Sequence, residues 1–274
     1  MKKAESQAGV LDFRPGFLRD KSCVQRTPDE QHGFISEIIK LSLFFAAEYQ
    51  KNHPEEEISS VIMNRTALWE ITGCKGTKEE ASLTAELCAL YKTATTGLEF
   101  EKAGYSSLFS HMDIFSARNL EWEKRVLENY RNSCFRYDPP DKDRPSNHCN
   151  FHITNPISPK SILKETRYAA ACFMRLMDES EKEFGFDTLR TFTWLNSVPQ
   201  WLKYFPGEWI GNMGEPMMGI EGNLGFWGQV ITARKTFSVK TGDSIRAHIA
   251  MPFKPRTSWC SFESLRKHLN EEFL

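Results

Sequence analysis

Apolar residues recur at helical period through the first half of the chain, and the pattern changes from segment to segment in the second. Thr27-Pro28-Asp29-Glu30 joins an N-cap, a proline at the first helical position and a capping-box glutamate. Residues 33–52 then carry Ile35, Ile38, Ile39, Leu43 and Ala46 on one helical face, until Pro54 interrupts. Residues 55–72 read as a second helix closed by Gly73. Thr77 and Glu80 repeat the capping box and open a third helix that stops at Gly97. A fourth runs over about 116–131. The expectation is a helical domain over residues 27–136, preceded by an irregular arm over residues 1–26.

Residues 137–146 hold Pro139, Pro140 and Pro145 among charged groups and mark a boundary. Beyond it, residues 151–154 read as a short strand. Ser158-Pro159 is an N-cap and first-position pair that starts a long helix ended by Gly185. Over residues 189–195, Arg190, Phe192 and Trp194 alternate with Thr191 and Thr193, which predicts a strand. Pro199 opens a short helix, and residues 211–225 are a glycine-rich loop. A strand at 226–233, a turn at 234–236 and a helix at 243–251 follow. Ser261 caps a terminal helix with Phe262, Leu265 and Leu269 inward. The fold class is therefore α+β: an N-terminal helical block packed on a C-terminal α/β half, residues 147–274, with a small mixed sheet.

At 274 residues the chain fits one large domain or two modest ones, at roughly 100–200 residues each. A formal charge of −1 leaves no field of one sign to hold a polyanion, so no nucleic-acid partner is expected. The longest apolar run, near residues 41–47, falls far short of the roughly 20 residues that span a bilayer, so no membrane association is expected either. The first residues have lysines but no apolar stretch of a secretory signal. Seven scattered cysteines, with no C-x-x-C, point to reduced thiols in a cytoplasm.

Four of the seven tryptophans, Trp194, Trp201, Trp209 and Trp227, fall close together in the second half. Mixed with Asn196 and Gln229, they suit a walled pocket for a small molecule, with Trp201 and Trp209 more structural. Trp194 and Asn196 stand where a strand turns into a helix, so the Asn196 amide is a candidate catalytic group for a substrate carbonyl, in balance with a capping role. Trp227 and Gln229, between glycines, and Arg246, able to hold an anion bidentately, complete the substrate-binding candidates. His152, at a strand end, is the candidate general base. His148 and His152 would lie about 13 Å apart on a strand, too far to share a metal, and no third ligand accompanies them, so no metal is expected. His111 and Asp113 have an iron-ligand spacing but lie among helices. Cys149 reads as an inert thiol and Ser197 has no nucleophile context.

His152-Ile153, the stretch from Ser161 to Phe173, the turn from Thr193 to Pro199, Phe205-Pro206, residues 226–231, and the tail with Thr257, Leu265, Arg266, His268 and Leu269 keep an order of features. In that order, over roughly residues 150–270, the chain resembles the GNAT-like acyltransferase-domain proteins, a bacterial group. Trp-Leu-Asn stands at residues 194–196 where that family commonly has Trp-Leu-Leu. The resemblance implies a GNAT-related fold and acyl transfer to an amine or hydroxyl from an acyl-CoA or other thioester, with His152 as base. The Gln/Arg-x-x-Gly-x-Gly/Ala turn that cradles a pyrophosphate in true acetyltransferases is absent; the nearest string spans Gly219, Gly222 and Gly225. A cofactor-light lyase, hydrolase or cyclase, or a non-catalytic small-ligand binding protein on the same scaffold, is the alternative expectation. The site is expected between the two halves.

Overall fold

A computed structural model describes residues 26–130, 133–219 and 222–274. The expected arm lies, Arg26 apart, outside the described residues. Helix α1 (Pro28–Asn52) starts as its cap predicts: the Thr27 hydroxyl accepts from the Glu30 amide at 3.3 Å, and the Glu30 carboxylate accepts from the Thr27 amide at 2.8 Å. Ile35, Ile38, Ile39, Leu43 and Ala46 are fully buried. Leu41 and Ser42 are buried as well, so α1 is the central helix of the block and not a surface one.

The helix expected over 55–72 is two pieces, α2 (Ile58–Arg65) and α3 (Leu68–Ile71). Thr66 breaks it in an extended conformation; its hydroxyl donates to the Ile62 carbonyl at 2.6 Å and accepts from the Leu68 amide at 3.3 Å. A threonine that bonds its own backbone competes with the helix ladder. Helix α4 (Lys78–Tyr91) is capped by Thr77 as expected. Gly97, read as a stop, instead begins α5 (Gly97–Leu108), capped by Thr96. It packs on Glu48: a Cβ would lie 2.3 Å from a carboxylate oxygen that accepts the Gly97 amide at 2.8 Å, so a larger residue would displace that side chain. Helix α6 (Met112–Asn129) closes the block, starting earlier than expected.

Strands β1 (Phe135–Tyr137) and β2 (His148–Ile153) pair antiparallel. Helix α7 (Thr166–Phe184) crosses over to β3 (Thr188–Thr193), parallel to β2. It starts later than Ser158-Pro159 suggested, because Ser161 forms a local turn, its carbonyl accepting from Lys164 and Glu165 at 2.9 Å. Gly185 ends it in the left-handed conformation, φ 71°. Short helices α8 (Pro199–Leu202) and α9 (Gly207–Gly211) follow. The strand expected at 226–233 is instead helix α10 (Leu224–Trp227) and a 3-10 turn at Gly228–Val230. Asn223 caps it by accepting the Phe226 amide at 2.8 Å, and Phe226, Trp227 and Val230 are buried against helices, so tertiary burial overrides a strand-like composition. Helix α11 (Val239–His248) begins earlier than expected, under a Ser238 cap. Strand β4 (Arg256–Ser261), which the pattern did not predict, pairs antiparallel with β3, and Ser261 caps α12 (Phe262–Glu272). The sheet order is β1-β2-β3-β4.

Two hydrophobic cores result. The first is formed by α1 to α6, joined by Leu224, Phe226, Trp227, Val230, Ile245 and Met251. The second lies between the sheet, α7, α8, α9 and α12. The segment 224–251 thus leaves the sheet half and packs on the helical one. Cys149 and Phe151, with Leu189 and Cys260, turn into the second core, which places Asn150 and His152 on the opposite face of the sheet. Trp194 packs against both cores.

Candidate functional site

A cleft of about 810 Å³ opens between the two cores. The C-terminal end of α6 forms one wall with Trp122 and Tyr130, the outer face of β1 and β2 supplies Arg136 and His152, and Trp194 and Leu224 close a third side. Trp194 is fixed there by its indole N–H, which donates to the Gly225 carbonyl at 3.0 Å, and by stacking on Phe253 at 6.1 Å.

His152 does not stand alone. Its Nε2 lies 2.8 Å from both carboxylate oxygens of Asp138. Asn150 donates to the same carboxylate at 2.9 Å, and Arg144 and Arg136 lie 3.5 and 3.7 Å from it. Burial alone would raise the Asp138 carboxyl. The hydrogen bonds from Asn150 and His152, with the His152 and Arg136 charges, outweigh it and hold the group below its ordinary value. Asp138 is therefore ionised at neutral pH, and in the tautomer that donates Nε2–H to it, Nδ1 is the ring nitrogen left to accept a proton. In the sequence Asp138 falls within the proline-rich boundary over residues 137–146. The signal that could have found it is its place one residue beyond β1, where the chain returns to pair with β2.

The other expected site residues are placed elsewhere. Asn196 is fully buried; its amide donates to the carbonyls of Arg256 at 2.8 Å and Thr191 at 3.4 Å and accepts from the Trp201 indole at 3.2 Å. It neither caps a helix nor lines the cleft. Trp227 is fully buried in the first core, edge-on to Phe45 at 5.7 Å. Gln229 exchanges two hydrogen bonds of 2.9 Å with the Phe253 backbone. Arg246 holds Glu101 bidentately at 2.6 and 3.0 Å, over the ring of Phe44. The cleft thus brings His152 and Trp194 together and does not include Asn196, Trp227, Gln229 or Arg246. Trp201 and Trp209 belong to the second core, stacked through Phe205.

Gly219 and Gly222 of the glycine string serve packing. A Cβ on Gly222 would lie 2.1 Å from the Asn64 carbonyl oxygen, and the Gly219 carbonyl accepts from Arg65 at 2.8 Å. The Leu224 amide is bound by the Glu70 carboxylate and the Phe226 amide by Asn223. Cys149 is buried, and burial pushes its thiol up to about 12, the behaviour of an inert thiol. His148 is half-buried and held below its ordinary value by desolvation and the Arg190 charge. Asp113 is paired with His32 at 3.0 Å. Among the described residues no cluster of three or more His, Cys, Asp or Glu is arranged to hold a metal, and no helix is long and apolar enough to cross a membrane. Comparison with protein-family models, with curated proteins and with solved structures gave no match for this chain.

Proposed function

We propose that the chain is an enzyme that modifies a small molecule in the cleft between its two cores, and that the reaction is acyl transfer to an amine or hydroxyl. The observation that carries the reading is the His152–Asp138 pair at the cleft wall: an ionised carboxylate orients an imidazole whose other nitrogen is left to accept a proton. The acyl character comes from the GNAT-like order of features in the C-terminal half. In the step, the acceptor nitrogen or oxygen attacks the carbonyl carbon of a thioester. The new C–N or C–O bond forms, the C–S bond breaks, the acceptor proton passes to His152, and the leaving thiolate recovers a proton from the imidazolium. No part of this step relies on a coenzyme A pyrophosphate site. The chain acts in the cytoplasm on this reading, in keeping with its odd, scattered cysteines.

The test is thiol release from a panel of short and medium acyl thioesters in the presence of amine and hydroxyl acceptors. Turnover in the wild type that falls by roughly 10²–10⁴-fold in His152→Ala, with an unchanged melting temperature, is the expected result. A folded His152→Ala variant with full activity removes the base. A second reading, a binding protein without catalysis, is favoured by the lack of a Gln/Arg-x-x-Gly-x-Gly/Ala turn in the sequence; it predicts ligand binding in the cleft with no thiol release in any combination.

A further inference from the structure

We propose that the acceptor is a carboxylic acid that carries its reacting amine or hydroxyl one or two carbons away and a bulky apolar side chain, with Arg136 holding the carboxylate. The inference deepens the reading of the cleft given above and rests on it.

The charges lining the cleft are uneven. Among its described residues Arg26, Arg136 and Lys235 stand against Glu123 alone. Two of the three cations are mostly buried. Arg26 pairs with Glu123 at 3.0 Å, donates to the Lys235 carbonyl at 2.6 Å and to Gln31, and lies over the Phe34 ring. The Lys235 ammonium also points to Glu123, at 3.9 Å, and its side chain is only 17% exposed. Arg136 differs. Its side chain is 43% exposed; it pairs with Asp138 only at 3.7 Å, and it meets Tyr130 through a side-chain hydrogen bond and the ring, 5.7 Å from the guanidinium. The guanidinium donors not turned to Tyr130 and Asp138 are left to take a carboxylate. Asp138 does not repel such a guest strongly, because Arg144 and Asn150 also neutralise and bind it.

Register then limits the distance between the anion and the reacting group. Arg136 is the direct cross-strand partner of His152. Directly opposed residues of an antiparallel pair have Cα atoms about 4.5–5.5 Å apart and side chains on the same face. A carboxylate on Arg136 therefore sets a nucleophile one or two carbons away beside His152, the spacing of an amino or hydroxy acid. The remaining surface is apolar: Trp122, Val126 and Leu127 from α6, with Ile153, Leu163 and Trp194 opposite. That wall suits a large aliphatic or aromatic side chain.

The experiment is calorimetric titration of the full chain, without donor, with leucine, phenylalanine, 2-hydroxy-4-methylpentanoate and 3-phenyllactate, each beside its primary amide. The expected result is that one or more acids bind and their amides bind at least about tenfold more weakly, the scale of one charge-assisted hydrogen-bond pair. Arg136→Gln should reduce the affinity of the acid to that of the amide and leave the amide unchanged, while Arg136→Lys should keep part of the preference. Equal affinity of acid and amide in the wild type, or an unchanged preference in Arg136→Gln, overturns the inference while leaving the cleft as a ligand site. Absence of binding by every member of the panel overturns both it and the reading on which it rests. Acid binding that depends on Arg136 in a chain whose turnover survives His152→Ala sustains the inference and removes only the proposed base.

Discussion

The two cores are built by different means. The helical core is mainly aliphatic and organised around one helix: α1 buries Ile35, Ile38, Ile39, Leu41 and Leu43 beside Phe34 and Phe45, and the neighbouring helices pack round it. The sheet core is aromatic and organised around one residue. Phe173 lies 4.1 Å from Phe135, 5.4 Å from Phe205, 5.7 Å from Phe151 and Trp201, and 6.0 Å from Tyr204, ring centroid to centroid. A periodic aliphatic face is a local property of the chain, and the fit can be approximate because side chains of similar volume interchange at low cost. An aromatic hub depends on ring geometry among segments far apart in sequence. The contrast predicts different sensitivity. Phe173→Ala should cost about 3–5 kcal/mol, and Ile38→Ala about 2–5 kcal/mol, toward the lower end because α1 is surrounded by helices that can close in. Urea unfolding of both variants checks this; a smaller loss in Phe173→Ala than in Ile38→Ala would break the comparison.

The same contrast explains what was legible in the sequence. Local signals with a local cause read correctly: Thr27 and Pro28 for the start of α1, Gly185 for the end of α7, and Ser261 with Phe262, Leu265 and Leu269 for α12. Signals with two possible causes misled. Gly97 reads as a stop, yet it begins α5 and donates its amide to the Glu48 carboxylate 49 residues away in sequence. Residues 226–231 look like a strand because aromatic and β-branched residues suit strands, yet they turn helically to reach the first core. Of the candidate site, His152 and Trp194 were legible; Asp138, which orients His152, was not, because the fold and not the spacing brings it there.

Asn196 sharpens the difference at the level of one buried polar group. Its side chain joins Thr191 at the end of β3, Arg256 of β4 and Trp201 of α8. Asn196→Ala leaves the Trp201 N–H and a strand carbonyl buried without partners, at about 1–3 kcal/mol. Chemical denaturation should show that loss with ligand affinity in the cleft unchanged. A variant that loses turnover at full stability would return Asn196 to the catalytic group. In the helical half the corresponding test is Thr27→Ala. It removes a solvent-exposed cap, should cost about 1 kcal/mol, and should leave the rest of α1 in place.

The smallest effect concerns the cleft wall, where neither core dominates. The Asp138 carboxyl is held below its ordinary value in the folded chain, against its burial, by Asn150, His152 and Arg136. A depressed carboxyl contributes stability that is fully present above its unfolded value, about 3.9, and is lost as pH falls through the folded value below it. Wild type and Asp138→Asn should therefore approach each other on the acid limb below about pH 4, as the wild type loses a contribution that the variant never had. Other depressed carboxyls, Glu56, Glu79 and Glu99, remain in both proteins and cancel in the difference. Because Asp138 lies at the sheet surface and not inside the aromatic hub, the difference should shrink as salt is added, whereas the loss in Phe173→Ala should not. A difference profile flat in pH, or indifferent to salt, would mean that Asp138 acts on the cleft through packing and not as the ionised partner of His152.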